Sequence, residues 1–207
     1  MNKFDPTFKK RPLSWSQLSA FAWSKEQWYD RYILGIKSEQ TPALLFGDLV
    51  DKRIQSDPKF FPEIPRYEHL QFKVTAKFGK MHLVGIMDTY DSPYDKKDHM
   101  GAVRDYKTGA KKWTQDRADE TGQLTFYALL LWQSDYKLAP HQFRFFIDWI
   151  PTQENGDFSV SHLKGAKVQH FETKRTMQDV LKFGQYINAT VKEMAAYAKE
   201  REVIHMR

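Results

Sequence analysis

The stretch Val103-Arg104-Asp105-Tyr106-Lys107-Thr108-Gly109 reads as a short strand that ends in a turn at Thr108-Gly109. Side chains two apart on a strand share a face, so Val103, Asp105 and Lys107 line one side and Arg104 and Tyr106 the other. An aspartate and a lysine held on one rigid face can combine a metal ligand with a cation aimed at a metal-bound water. An isolated D-x-K is more often an ion pair near a strand end, so the neighbouring sequence decides between the two readings.

Upstream, Gln71 to Phe78 alternates, with Phe72, Val74, Ala76 and Phe78 on one face and Gln71, Lys73, Thr75 and Lys77 on the other. Gly79-Lys80 fits a two-residue hairpin turn with glycine first. It leads into a strand from Met81 to Tyr90, where Val84, Ile86 and Asp88 share a face. Residues 91–101 are turn-rich, and a third strand follows at 102–107. Downstream, a helix is expected over 116–134, weakened at its start by Gly122, with Gln123 and Tyr127 on one face. Three strands and then a helix place Asp88, Asp105 and Lys107 on adjacent strands. Two aspartates suit a hard divalent cation such as Mg²⁺ or Mn²⁺, which prefers oxygen ligands.

The flanks are mostly helical. Residues 1–13 carry Pro6 and Pro12 and read as an irregular lead-in. Ser14 or Ser16 then caps a helix that runs to Leu34 and stops at Gly35. Its Leu18, Phe21, Ala22, Trp28, Tyr29, Tyr32 and Ile33 recur at helical spacing and are read as core. Thr41-Pro42 opens a second helix to Gln55, and Pro58, Pro62 and Pro65 break regular structure beyond it. A strand at 142–150 presents Phe143, Phe145, Ile147 and Trp149 on one face against polar neighbours. Asn155-Gly156 turns the chain, 158–163 and 167–172 are weaker strands, and 176–202 is a long C-terminal helix. No linker or repeat interrupts residues 1–207, so one domain is expected.

The 207 residues contain no cysteine, which removes disulfides, zinc ribbons and iron–sulfur clusters and fits an intracellular protein. No apolar run approaches the roughly 20 residues that span a bilayer, and the N-terminus lacks the apolar core of a signal peptide. Lys and Arg exceed Asp and Glu by six, an excess that favours a polyanionic partner without requiring one. The seven histidines are dispersed without metal-binding spacing, and no serine sits in G-x-S-x-G. Lys182, Lys192, Lys199 and Arg201 of the last helix read as a solvated face able to touch phosphates.

In order, Gly47-Asp48-Leu49-Val50-Asp51, Gly85-Ile86-Met87-Asp88, Asp105-Tyr106-Lys107-Thr108-Gly109 and Gln123-Leu124-Thr125-Phe126-Tyr127 resemble the PD-(D/E)XK nuclease superfamily. The RecB-type branch, with its CRISPR-associated and phage exonucleases, is the nearest in pattern. Leu13-Ser14-Trp15-Ser16-Gln17-Leu18-Ser19-Ala20-Phe21 also resembles the start of that branch's first helix. The likeness covers roughly residues 13–150.

This resemblance implies an α/β, restriction-endonuclease-like domain with a central mixed sheet flanked by helices. It further implies metal-dependent hydrolysis of DNA, with exonuclease action on single strands or duplex ends in the cytoplasm of a bacterial or phage-infected cell. Carried over, Asp88, Asp105 and the Tyr106 carbonyl bind Mg²⁺ or Mn²⁺, Lys107 is catalytic, and Gln123 and Tyr127 orient the site or contact the DNA backbone. Two departures stand out. The branch usually has a metal-ligating histidine where this chain has Asp51, which keeps an oxygen donor with shorter reach. Its iron–sulfur members carry cysteines, and this chain has none. The Asp51 departure keeps open a second expectation, a nuclease-fold protein that binds DNA or a protein partner without cutting.

Overall fold

The computed structural model describes residues 4–37, 39–57, 59–65, 69–95, 100–155 and 159–205. Pro58, His99, Gly156 of the expected turn and Phe158 of the expected strand lie outside these residues.

Six strands form one mixed sheet: β1 (His69–Phe78), β2 (Met81–Asp91), β3 (Gly101–Gly109), β4 (Phe143–Glu154), β5 (Val160–His162) and β6 (Gln169–Thr173). The spatial order is β1-β2-β3-β4-β5, and β6 pairs with β4 beside β5. β3 and β4 are parallel and every other pair is antiparallel. The hairpin turn falls at Gly79-Lys80 as expected, with Gly79 at φ +59° and Phe78 opposite Met81. Parallel neighbours need a crossover. Here it runs through α4 (Gln115–Glu120) and α5 (Gly122–Gln133), and the mixed sheet flanked by helices is the architecture that the resemblance implies.

Two expected helices are interrupted. The first is α1 (Trp15–Trp23), then α2 (Lys25–Tyr29), which continues as a π-helical turn over Asp30–Leu34 and ends at Gly35. Ser24 is the break: its backbone is extended, and its hydroxyl accepts the Gln27 N–H to start α2 afresh. Serine competes with the helix ladder in this way and favours caps over interiors. The helix expected over 116–134 breaks at Thr121. There the buried Arg175 guanidinium donates to the carbonyls of Ala118 (3.0 Å) and Thr121 (3.2 Å) and to the Thr125 hydroxyl (2.8 Å). The break makes Gly122 the first residue of α5 and not a weak point inside a longer helix. α3 (Pro42–Ser56) is capped by Thr41, and α6 (Met177–His205) closes the chain.

Helices cover both sheet faces. Leu124, Phe126 and Leu129 of α5 and Val180, Ile187 and Met194 of α6 bury against Val103, Phe145, Ile147 and Trp149. Burial of such apolar side chains stabilises by roughly 1.5–3 kcal/mol each. On the opposite face, Val50 and Ile54 of α3 pack with Ile64, Ile150 and Val168, and Tyr106 lies against them.

The lead-in is irregular, as expected, and it is tied into the fold. Phe8 and Leu13 are buried, and the segment lines the edge of β2. His82 donates its N–H to the Thr7 carbonyl, Leu13 to the His82 carbonyl and Val84 to the Leu13 carbonyl, all at 2.8–2.9 Å. β4 corrects one expectation: of the neighbours to its apolar face Arg144 is exposed, but Phe146 and Asp148 are buried. Asp148, with no solvent exposure, accepts two bonds from Arg104 Nη1 (2.7 and 2.9 Å) and faces His170 Nδ1 at 2.6 Å. Removing one partner of such a pair leaves a buried charge uncompensated. Asp148→Ala is expected to lower stability by about 3–5 kcal/mol, read as a shift of the urea midpoint.

Candidate active site

β2 and β3 pair only through Thr89↔Arg104, Tyr90↔Val103 and Asp91↔Ala102. The next pair in register is Asp88 and Asp105, and the ladder stops before it. Backbone groups past this point need other partners, because an unpaired buried group is costly. The Tyr106 N–H donates to Asp88 Oδ2 at 2.6 Å, and the Ile86 carbonyl accepts from the Tyr127 hydroxyl at 2.8 Å. The strands thus separate at the two aspartates, and side chains close the gap.

Asp105 is buried and doubly tied. Its Oδ1 accepts from Gln123 Nε2 (2.6 Å) and lies 3.2 Å from the Tyr127 hydroxyl, while its Oδ2 faces Lys107 Nζ at 2.6 Å. That Oδ2 is cut off from solvent and makes no well-aligned hydrogen bond, the ammonium being its one contact of note. Lys107 Nζ also donates to Gln123 Oε1 (2.8 Å), and Gln123 Nε2 to the Tyr127 hydroxyl (2.8 Å). The four-residue spacing of Gln123 and Tyr127 therefore delivers both to one carboxylate. Burial raises the Tyr127 hydroxyl well above its ordinary range, which keeps it a donor. Past the lysine, Trp149 Nε1 donates to the Gly109 carbonyl (2.9 Å) and holds the end of β3.

Asp51 arrives from α3 by a different route. Gln71 Nε2 donates to both Asp51 oxygens (3.0 Å each) and to Asp88 Oδ1 (3.3 Å), and Gln55 Nε2 donates to Asp51 Oδ2 (3.0 Å). One amide nitrogen thus stands between the two carboxylates. Among the described residues, Asp51, Asp88 and Asp105 do not form a three-acid cluster shaped for a metal. Gln71 does not stand out in the sequence as a site residue. Its signal is conformational: it has φ +50° in the middle of a strand, a strained backbone for a non-glycine residue. The regular pairing of β1 with β2 skips it and its opposite number, Asp88.

The open groove over these strands has a volume of about 710 Å³. Asp48, Gln71, Asp88, Asp105, Lys107 and Gln123 supply its polar lining, and Trp15, Leu44, Val84 and Ile86 its apolar lining. Gly85 is required by close approach. A Cβ there would lie 2.5 Å from Leu130 Cδ1 and 3.2 Å from Tyr127 Cε1, so its absence lets the tyrosine ring reach the β2 backbone. Asp48, three residues before Asp51, lines the groove as well, although the sequence marks it only as part of a motif.

Burial first, and then the neighbouring Asp105 charge, push the Asp88 carboxyl up to about 8. Burial also raises Asp51, against the opposing hydrogen bonds from Gln55 and Gln71. Crowded carboxylates, the poorly bonded Asp105 Oδ2 and an all-oxygen donor set suit a hard divalent cation. Asp88 and Asp105 fit it directly, and Tyr106 turns its backbone toward them, as the bond from its N–H to Asp88 records.

A model of the PD-(D/E)XK nuclease superfamily matches residues 56–203, more than half of the chain. The chain belongs to the PD-(D/E)XK nuclease superfamily. Asp51 falls outside the matched stretch, whereas Asp88, Asp105, Lys107, Gln123 and Tyr127 fall inside it. PD-(D/E)XK nucleases generally use divalent metals, and a cysteine-free chain holds no iron–sulfur cluster. No curated protein sequence matches the chain significantly. Among solved structures, the "putative exonuclease" of Eubacterium rectale is similar with a TM-score of 0.59 at 15% identity, over 97% of this chain and 88% of its own. SSO0001 is similar with a TM-score of 0.44 at 12% identity, over 86% of this chain and 69% of its own, too loose a likeness to argue from. No helix among the described residues is long and apolar enough to cross a membrane.

Two outcomes test this geometry. Metal-free, the folded state holds a proton on Asp88 that the unfolded chain, at an ordinary 3.8, gives up. Stability from this group is therefore full below about pH 4 and lost as pH rises toward 8. Asp88→Asn stays neutral, so in EDTA at pH 8 it should melt about 2–4 °C above the parent for each kcal/mol recovered, with no gain at pH 4. Gly85→Ala should cost about 1–3 kcal/mol by overpacking against Leu130 and Tyr127, measured by urea denaturation.

Proposed function

We propose that this PD-(D/E)XK nuclease is a Mg²⁺- or Mn²⁺-dependent deoxyribonuclease acting from DNA ends. The observation that carries the reading is the meeting of Asp88, Asp105 and Lys107 where β2 and β3 part, with Lys107 held between Asp105 and Gln123. A divalent cation held by Asp88, Asp105 and the Tyr106 carbonyl would polarise the scissile phosphodiester and offset charge on its oxygens. Lys107 presents an ammonium beside that position. It orients the attacking water and stabilises negative charge as it develops. Gln123 fixes the lysine through its carbonyl and Asp105 through its amide, so one side chain sets the spacing of the acid and the base. Tyr127 holds Asp105 against β2 through the Ile86 carbonyl. Exonuclease action agrees with the name of the Eubacterium rectale neighbour, whose likeness is one of fold.

The reading is tested with end-labelled single- and double-stranded DNA, with Mg²⁺, with Mn²⁺ and with EDTA. Cleavage should require the cation and release label from termini. Lys107→Ala and Asp105→Ala should each reduce the rate by roughly 10²–10³-fold or more. Undiminished cleavage by either variant would mean that other residues do the chemistry.

One observation favours a second reading, a nuclease-fold protein that binds DNA without cutting: the Gln71 amide occupies the space between Asp51 and Asp88. Calorimetry separates the two. Mn²⁺ uptake that is lost in Asp88→Asn supports the nuclease, and retained DNA binding with no Mn²⁺ uptake supports the alternative.

A further inference from the structure

The outer face of the β1–β2 hairpin carries two columns of side chains. Lys73, Thr75 and Lys77 on β1 stand opposite Ile86, Val84 and His82 on β2. The three β1 residues are exposed, and Ile86, at 48% exposure, is unusually open for an isoleucine at the centre of a sheet strand. Val84 and Ile86 also line the active-site groove, so this face continues its floor. Directly opposite side chains on antiparallel strands lie about 5 Å apart, which puts Lys73 beside Ile86 and two residues from Gln71.

Neither Lys73 nor Lys77 forms an ion pair or hydrogen bond among the described residues, although Lys77 shares a recess with Asp135 and Lys137. Lysines on an edge strand also guard against edge-to-edge pairing. That duty explains the lysines and not the open Ile86 and half-buried Val84 beside them. Inside the groove the balance is reversed, with Asp48 and Asp105 outnumbering Lys107. A polyanion is therefore repelled at the centre unless a cation is present, and attracted along the hairpin.

We infer that the β1–β2 face, with Lys73 and Lys77 beside Ile86 and Val84, is a track for a single-stranded tail of nucleic acid leading into the groove. A single strand offers phosphates to one column and unpaired base faces to the other. A duplex hides its bases and leaves the apolar column without a partner. From Gln71, opposite Asp88, to Lys77 the track runs roughly 20 Å by the rise of a strand, enough for a few nucleotides. The inference rests on the nuclease reading of the groove and adds the direction from which substrate enters it.

The test is fluorescence anisotropy of the full chain in EDTA with a labelled 12-nucleotide single strand and a blunt duplex, from low to moderate salt. For single strands, log K falls with log salt by about 0.7 for each phosphate contact. Lys73→Ala/Lys77→Ala should flatten the single-strand slope by about 1.4 and weaken binding by about tenfold. The equally charge-reduced Lys164→Ala/Lys167→Ala, exposed in the β5–β6 connection at the opposite end of the sheet, should keep the parent slope. Ile86→Ser should weaken the single strand several-fold more than the duplex, and equal weakening of both overturns the track. Equal loss in both lysine pairs, or no loss in the hairpin pair, overturns the track. Because binding is read without a cation, a track that behaves as expected in a chain that cuts nothing refutes the nuclease reading alone, and a cutting chain with unaltered hairpin variants refutes the track alone.

Discussion

The parting of β2 and β3 after Thr89↔Arg104 is the constraint on which the site depends. A continuous ladder would occupy the Tyr106 N–H and the Ile86 carbonyl with each other's strands. Its interruption exposes them to side chains, and Asp88 and Tyr127 take them. The same hydrogen bonds that satisfy the separated backbone therefore fix the orientation of an acid and a phenol. Farther along, the free edge of β2 is taken by the lead-in through Thr7 and Leu13. These replacement partners help to keep the separated strands stable.

Around that gap, elements on both sheet faces are tuned for close approach. α5 begins at Gly122 because Arg175 collects the carbonyls at the Thr121 break, and the new start places Gln123 over Asp105. On β2, Gly85 admits Tyr127 and Leu130. Behind β3, the Arg104–Asp148–His170 group binds β3 to β4 and β6 on the face away from Lys107. The site is held from both sides, with a buried ion pair behind it and an amide–phenol relay in front.

The cost of this arrangement is concentrated in a few residues. Asp88 is half-buried beside a second carboxylate, and Gln71 adopts a left-handed backbone inside a strand in order to bridge Asp51 and Asp88. Strain and crowded charge persist only where the surroundings enforce them. Here they coincide on one register position, Gln71 opposite Asp88, on the lining of the groove.

Alternation, turn chemistry and motif order determined a great deal by themselves. The hairpin at Gly79-Lys80 and the core faces of β1 and α6 were legible, because each depends on local periodicity of two or of 3.6 residues, whereas the grouping of Asp88, Asp105, Lys107, Gln123 and Tyr127 followed from motif order and the family resemblance. The breaks at Ser24 and Thr121 were not legible. A capping hydroxyl and a distant Arg175 override a helical pattern that continues through both. Nor were the burial of Asp148 and the sheet-edge role of the lead-in, since both rest on partners far away in sequence. Asp51 shows the division most sharply: its place in the motif order made it a candidate ligand through the resemblance, and only the tertiary structure interposed Gln71. That outcome depends on where β1 abandons its regular twist, and backbone strain of this kind leaves no periodic trace in a sequence.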